Sequence, residues 1–146
     1  MSQMPTELTR AQELIYELKI EQVMTRDVIT APPECTIRDL KELLRVKRIS
    51  GVPIVAGDLL VGMASIENVI RALETGELDA TVGVKMTRQV QAVRADDTVV
   101  NAVNLFARLG YGRFPVVDAN GRLVGILTKG DIVRGLLRQM EVQWHA

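Results

Sequence analysis

The residues best equipped for chemistry are Thr128, Lys129 and Asp131, in a four-residue stretch, Thr128-Lys129-Gly130-Asp131, set between two apolar runs. A hydroxyl, a mobile cation and an acceptor-only carboxylate lie within one turn. If the stretch opens a helix, its first backbone N–H groups lack intrahelical partners and favour a phosphate. The carboxylate can accept both hydroxyls of a ribose. Thr-x-x-Asp is equally an ordinary helix N-cap pattern. These four residues alone leave a capped helix and a ligand site both open.

Other reactive groups are sparse. His145 is the only histidine and sits one residue from the end of the chain, so a Ser-His-Asp or Cys-His arrangement has little to build on. Cys35 is the only cysteine, which excludes an intrachain disulfide and makes the cytoplasm the default location. It adjoins Thr36, where a thiolate can be stabilised, but reads as an incidental small residue. Zinc-ligand spacing is missing. Asp96-Asp97 precedes Thr98 and reads as charge complementary to a helix start. Gly110-Tyr111-Gly112 lacks the rest of a dinucleotide fingerprint, and no phosphate-loop motif is present. The reading is therefore a binding module and not an enzyme.

Composition bounds the partners. The 146 residues are 47% hydrophobic and 25% charged, as in an ordinary globular protein. Eighteen basic and eighteen acidic side chains cancel, which argues against direct nucleic-acid binding. Aromatics are 3%, too few for a base-stacking platform. No apolar run approaches the roughly 20 residues of a membrane span, and the N-terminus lacks the apolar core of a signal peptide.

The elements that must position the Thr-x-x-Asp stretch appear twice. "VMTRDVIT" at 23–30 returns as "KMTRQVQAV" at 85–93, "SGVPIV" at 50–55 as "GRFPVV" at 112–117, and "LLVGMASIENVIRAL" at 59–73 as "RLVGILTKGDIVRGL" at 122–136. Met24/Met86 and Pro53/Pro115 are 62 residues apart, while Gly62/Gly125 and Ser65/Thr128 are 63 apart. The extra residue falls in the Ala119-Asn120-Gly121 turn. Each copy predicts an extended segment (Val28–Thr30; Val90–Val93) and then a helix capped by Thr36 or Thr98. Two strands follow (Pro53–Val55 with Leu60–Ala64; Phe114–Val117 with Leu123–Leu127), and a second helix starts after Ser65 or Thr128. "DANG" suits a hairpin turn because Asn and Gly tolerate positive φ. Met24 and Met86 read as core. Thr6–Ile20 predicts an amphipathic helix with Leu8, Leu14, Ile15 and Leu18 apolar. Ile132–Trp144 continues the last helix beyond the point where its counterpart stops near Gly76. That end reads either as a fraying terminus or as a helix leading to a further domain.

The expected organisation is an N-terminal helix (1–20), repeat 1 (21–76), a linker (77–83), repeat 2 (84–137) and a helical C-terminal extension (138–146). The fold class is α/β, or α+β, with two β-α-β-β-α repeats packed by pseudo-twofold symmetry, since one unit of about 60 residues has too little core alone.

These paired motifs resemble tandem cystathionine-β-synthase (CBS) domains, over about Ile20 to Leu137. The resemblance implies two clefts between the sheets, a homodimer built through the Leu40–Val46 and Val103–Leu109 helices, and regulation of an effector domain C-terminal to this chain or of a separate partner. It implies an adenosine-containing regulatory ligand (AMP, ADP, ATP or S-adenosylmethionine), with no obligatory cofactor. It also implies a signalling role such as energy sensing. Site A would join Thr128, Lys129 and Asp131 to Val28, Thr30, Ile49, Ser50, Gly51, Val52 and Pro53. Val28, Ile49 and Val52 would form the adenine slot. Site B would join Ser65 and Asn68 to Val90, Ala92, Tyr111, Gly112, Arg113, Phe114 and Pro115. Site B departs from the pattern. Asn68 replaces the aspartate and Glu67 would repel a phosphate, although Arg113 can clamp one bidentately. Site A is expected to bind more tightly than site B, or only one of the two sites is expected to be occupied. The alternative is a structural dimerisation module with no ligand.

Overall fold

The computed structural model describes residues 6–145, with side chains described from 9 to 141. The elements run α1 (Thr6–Glu17), α2 (Ile20–Val23), α3 (Ile37–Lys47), β1 (Gly51–Ala56), β2 (Leu59–Ser65), α4 (Ile66–Thr75), α5 (Val82–Lys85), β3 (Val93–Arg94), α6 (Val99–Leu109), β4 (Arg113–Val117), β5 (Leu123–Thr128) and α7 (Lys129–His145). Both expected strand pairs and both helices that follow them are present. The mixed helix-and-strand class and the twofold repetition of the pattern hold.

The chain forms two compact units. One combines the chain up to Val28 with Ala92–Asn120 and the stretch from Val124 onward; the other is Ile29–Gln91 with Gly121–Leu123. The boundaries of these units cut through the repeated "MTR" segments, so each unit takes the segment that opens the other sequence repeat. Each unit has its own core.

In the Ile29–Gln91 unit, β1 and β2 are antiparallel, with Gly51 opposite Ser65 and a register shift between Ile54 and Val55. Ala31 adds a parallel bridge to Ile54, and Thr87 an antiparallel one to Met63. The core holds Ile37, Leu40 and Leu44 from α3, Val52 and Ile54 from β1, and Val69 and Ala72 from α4. Fully burying each of the Ile, Leu and Val side chains contributes roughly 1.5–3 kcal/mol. α3 starts in a reciprocal capping box: Asp39 N–H donates to Thr36 Oγ1 at 3.1 Å, and Thr36 N–H to Asp39 Oδ2 at 3.2 Å.

In the other unit, β3 lies parallel to β4, with Val93 opposite Val116, and β4 is bonded to β5. Thr25 adds an antiparallel bridge to Ile126, with both backbone bonds at 2.9 Å. The core joins Leu14 and Leu18 to Val99, Ala102, Phe106, Phe114, Val116 and Leu127. Pairing thus falls at Ala31, one residue past the expected segment Val28–Thr30, and at Val93–Arg94, where only Val93 belongs to the expected segment Val90–Val93. α6 closes on Gly110 at φ 70°, a left-handed position that glycine adopts without strain.

The N-terminal helix differs from expectation. α1 stops at Glu17, and a separate short α2 begins at Ile20. The cause is pairing with distant chain: Val99 N–H donates to Leu18 O at 2.8 Å and Ile20 N–H to Asp97 O at 2.9 Å. Lys19 leaves the helix and caps α2 through its N–H to Gln22 Oε1 at 2.9 Å. Leu14 and Leu18 are buried and Ile15 half-buried, while the Leu8 side chain lies outside the described residues. At the other end α7 runs 17 residues against 10 for its counterpart α4. No described helix is long and apolar enough to cross a membrane.

Candidate functional site

The Thr128–Asp131 stretch is the passage from β5 into α7. Asp131 N–H donates to Thr128 Oγ1 at 3.1 Å, and Thr128 N–H donates to Asp131 Oδ2 at 2.9 Å. The pair is therefore a capping box, the first of the two readings its spacing allowed. The carboxylate does more than cap. Its Oδ1 accepts from Thr25 Oγ1 at 2.9 Å and from the Arg134 guanidinium at 2.9 Å. Asp131 is 4% exposed, a buried charge tolerated because every bond to it is a donor. Burial, the largest single influence, pushes its pKa up; the bonds from Thr128, Thr25 and Arg134 together outweigh it and hold the carboxyl below its ordinary value.

Lys129 turns away from this carboxylate. Its Nζ lies 6.0 Å from the centroid of the Phe106 ring. Val28 is half-buried in the same unit. The remaining residues of the first expected set, Thr30 and Ile49, Ser50, Gly51, Val52 and Pro53, belong to the other unit. There Ser50 is exposed and Ile49 half-buried at the entry to β1, while Val52 and Pro53 are buried.

The second expected set divides in the same manner. Ser65, Asn68 and Val90 lie in the Ile29–Gln91 unit, and Ala92, Tyr111, Gly112, Arg113, Phe114 and Pro115 in the other. Asn68 is 8% exposed and repeats half of the Asp131 arrangement: its Oδ1 accepts from Ser65 N–H at 2.9 Å. Its Nδ2, which a carboxylate lacks, donates to Lys85 O at 2.8 Å. The amide is thus matched to a carbonyl that an aspartate would oppose. Phe114 is fully buried, tilted against Phe106 at 4.6 Å between ring centroids. Tyr111 is 51% exposed and meets Phe114 edge-on at 5.8 Å. Gly112 and Arg113 are exposed.

Two residues were missed in the sequence. Thr25 and Arg134 both bind Asp131, one from 106 residues away. Arg134 was findable, because three-residue spacing on a helix brings a cation over a carboxylate. Nothing local marks Thr25. Thr98 is the N-cap of α6 but its side chain makes no capping bond; the adjacent Asp97 carboxylate accepts from Thr98 N–H at 2.8 Å and Asn101 Nδ2 at 2.6 Å. The Cys35 thiol is raised above its ordinary pKa by burial and then by the Asp39 charge, which disfavours the reactive thiolate. Among the described residues, no group of three His, Cys, Asp or Glu side chains could hold a metal ion.

Comparison with known proteins places this geometry in context. The family model for the CBS domain matches residues 20–75 and 80–138. An uncharacterized protein of Methanocaldococcus jannaschii is 30% identical over 131 residues, covering 90% of this chain and 44% of its own length. Inosine-5'-monophosphate dehydrogenase of Korarchaeum cryptofilum is 34% identical over 114 residues, 78% of this chain and 23% of that enzyme. The chain thus spans less than half the length of either. Among solved structures, CBSX2 in complex with AMP aligns with a TM-score of 0.72 at 30% identity, over 84% of this chain and 98% of that one. The CBS domain pair of protein MJ0100, in complex with 5'-methylthioadenosine and S-adenosyl-L-methionine, aligns with a TM-score of 0.67 at 28% identity, over 80% of this chain and 94% of that one.

Proposed function

The chain belongs to the CBS domain family, with two consecutive CBS domains, and from that premise we propose that it is a regulatory module that binds an adenine nucleotide and passes occupancy to an effector. The observation that carries the reading is the β5-to-α7 turn, where a buried carboxylate, a hydroxyl and a helix start are held together by Thr128 and Asp131. The AMP complex of CBSX2, similar over most of this chain, supports an adenosine ligand. The first ligand set is Val28, Thr30, Ile49–Pro53, Thr128, Lys129 and Asp131. The weaker second set is Ser65, Asn68, Val90, Ala92 and Tyr111–Pro115. The mechanism is differential affinity: the ligand favours the arrangement of the module that it binds best. The effector is a further domain of a longer chain or a separate protein, and the module acts as a homodimer.

Calorimetry with AMP, ADP, ATP and S-adenosylmethionine tests this. Asp131→Ala should weaken binding more than Asn68→Ala, and the reverse order would sink the ranking of the two sets. A second reading, a structural dimerisation module with no ligand, draws on one observation: the polar atoms of Asp131 and Asn68 all have partners within their own units. A thermal-shift screen in which no adenosine compound raises the melting temperature would favour it.

A further inference from the structure

We propose that Arg134 is the phosphate reader of the Asp131 site, that it competes with a ribose for Asp131 Oδ1, and that it makes the site selective for adenosine 5'-phosphates over uncharged adenosines. The proposal rests on the adenosine-binding reading above and names the ligand class within it.

Asp131 accepts three hydrogen bonds, from Thr128 N–H, Thr25 Oγ1 and Arg134. A carboxylate has about four acceptor positions. A ribose diol, which brings two hydroxyl donors, therefore needs one that is already taken. The three present donors differ in how firmly they are held. Thr128 donates from its backbone. Thr25 is fixed by both of its backbone bonds to Ile126. Arg134 reaches Oδ1 from the end of a long side chain that is 66% exposed. A long, exposed side chain costs the most conformational entropy to hold in place, so Arg134 is the donor that yields.

The guanidinium lies close to the turn while it holds Asp131. It lies across Gly130: a Cβ there would sit 3.0 Å from one Arg134 terminal nitrogen and 3.4 Å from the other. It is thus seated on the first turn of α7, beside the carboxylate that takes the ribose in this reading, and there it would meet a 5'-phosphate. Guanidinium binds phosphate bidentately. Lys129, the other cation of the turn, is placed over Phe106 instead. A phosphorylated ligand restores the charge partner that its ribose removes from Arg134. A neutral 5' substituent, a hydroxyl or a thioether, does not.

The first repeat supplies an internal comparison. Arg71 holds the position equivalent to Arg134, 63 residues earlier. There Asn68 replaces the carboxylate and Glu67 replaces the glycine. Salt bridges of the described residues include Arg134 with Asp131 and none from Arg71. The arrangement follows the aspartate and the glycine, not the arginine alone.

The test is calorimetry with AMP, adenosine and S-adenosylmethionine on the wild-type chain, Arg134→Gln and Arg134→Lys. Wild type should prefer AMP. Arg134→Gln should weaken AMP by about ten- to a hundredfold, the range for a lost hydrogen bond to a charged group, while adenosine binding stays unchanged or tightens. Arg134→Lys should keep part of the AMP preference. Circular dichroism should show both variants folded, as expected for an exposed side chain. If the glutamine variant loses AMP and adenosine equally, or keeps the wild-type preference, the phosphate role is wrong while adenosine binding stands. If wild type binds none of the three, the adenosine reading fails and this proposal with it.

Discussion

The Thr25 hydroxyl donates to Asp131 Oδ1 at 2.9 Å across 106 residues of chain. It joins the segment that opens the first sequence repeat to the turn that starts the last helix, inside a single compact unit. Without it the buried carboxylate would keep only its own cap and one exposed arginine.

Thr25→Val should therefore destabilise the protein by about 1–3 kcal/mol at pH 7, the usual range for a buried polar group that loses its partner. The effect depends on pH with a defined sign. Asp131 is held below its ordinary pKa in the folded protein. Its stabilising share is then complete above the unfolded value of about 3.9 and is lost as pH falls through the folded value. Urea unfolding across a pH series checks this. A gap between wild type and variant as large at pH ~2 as at pH ~7, either side of the Asp titration, would remove Asp131 as the cause.

Asn68→Asp looks like a repair of the second Thr/Ser-x-x-Asp motif, yet it should destabilise. The amide donates to Lys85 O at 2.8 Å. A carboxylate there has no proton to give and faces the carbonyl with like charge. The expected loss is about 1–3 kcal/mol at pH 7. The new carboxyl should titrate above its ordinary value, so the loss should shrink as acid protonates it and restores a donor. Unfolding midpoints across an acid-to-neutral pH series distinguish this from a simple packing defect, which would be insensitive to pH.

Gly125 and Gly62 occupy equivalent places against Met24 and Met86. A Cβ on Gly125 would lie 2.6 Å from Met24 Sδ and 2.8 Å from Thr25 O; on Gly62, 2.5 Å from Met86 Sδ and 2.8 Å from Thr87 O. The methionine can swing aside, but the carbonyl is fixed by its pairing. Gly125→Ala and Gly62→Ala should each lose about 1–3 kcal/mol by overpacking. Adding Met24→Ala to Gly125→Ala should restore only part, because Thr25 O remains. Full recovery in chemical denaturation would show that the sulfur alone was the obstacle.

These relationships show where the sequence was legible. The two strand pairs, the Thr36 cap and the helices after Ser65 and Thr128 follow from local signals: periodicity, capping residues and turn glycines. The exchange of the "MTR" segments was not legible. Thr25 pairs with Ile126 and Thr87 with Met63. A repeat of period 62 suggests instead that each segment belongs with the residues that follow it. The break at Leu18–Lys19 was hidden for the same reason, since its cause lies at residues 97–99. The Thr128–Asp131 turn was found from its residue types, but the donors that load its carboxylate were not. One of them is exposed and the other distant, and neither property leaves a pattern.

The last prediction turns on Gly135. A glycine inside a helix ordinarily loses about 1 kcal/mol against alanine, and α7 carries this one in its interior. Substitution by alanine would then be expected to stabilise. Here the added Cβ would overlap the Val23 side chain, with Val23 Cβ only 2.8 Å away. Val23 is buried in α2, at the close approach of α2 to α7. Gly135→Ala should thus destabilise by about 1–3 kcal/mol, since overpacking exceeds the gain in helix propensity. Val23→Ala removes the nearest methyl and should make the two substitutions strongly non-additive in a double-mutant cycle. Additive losses would mean that the glycine answers to something other than Val23.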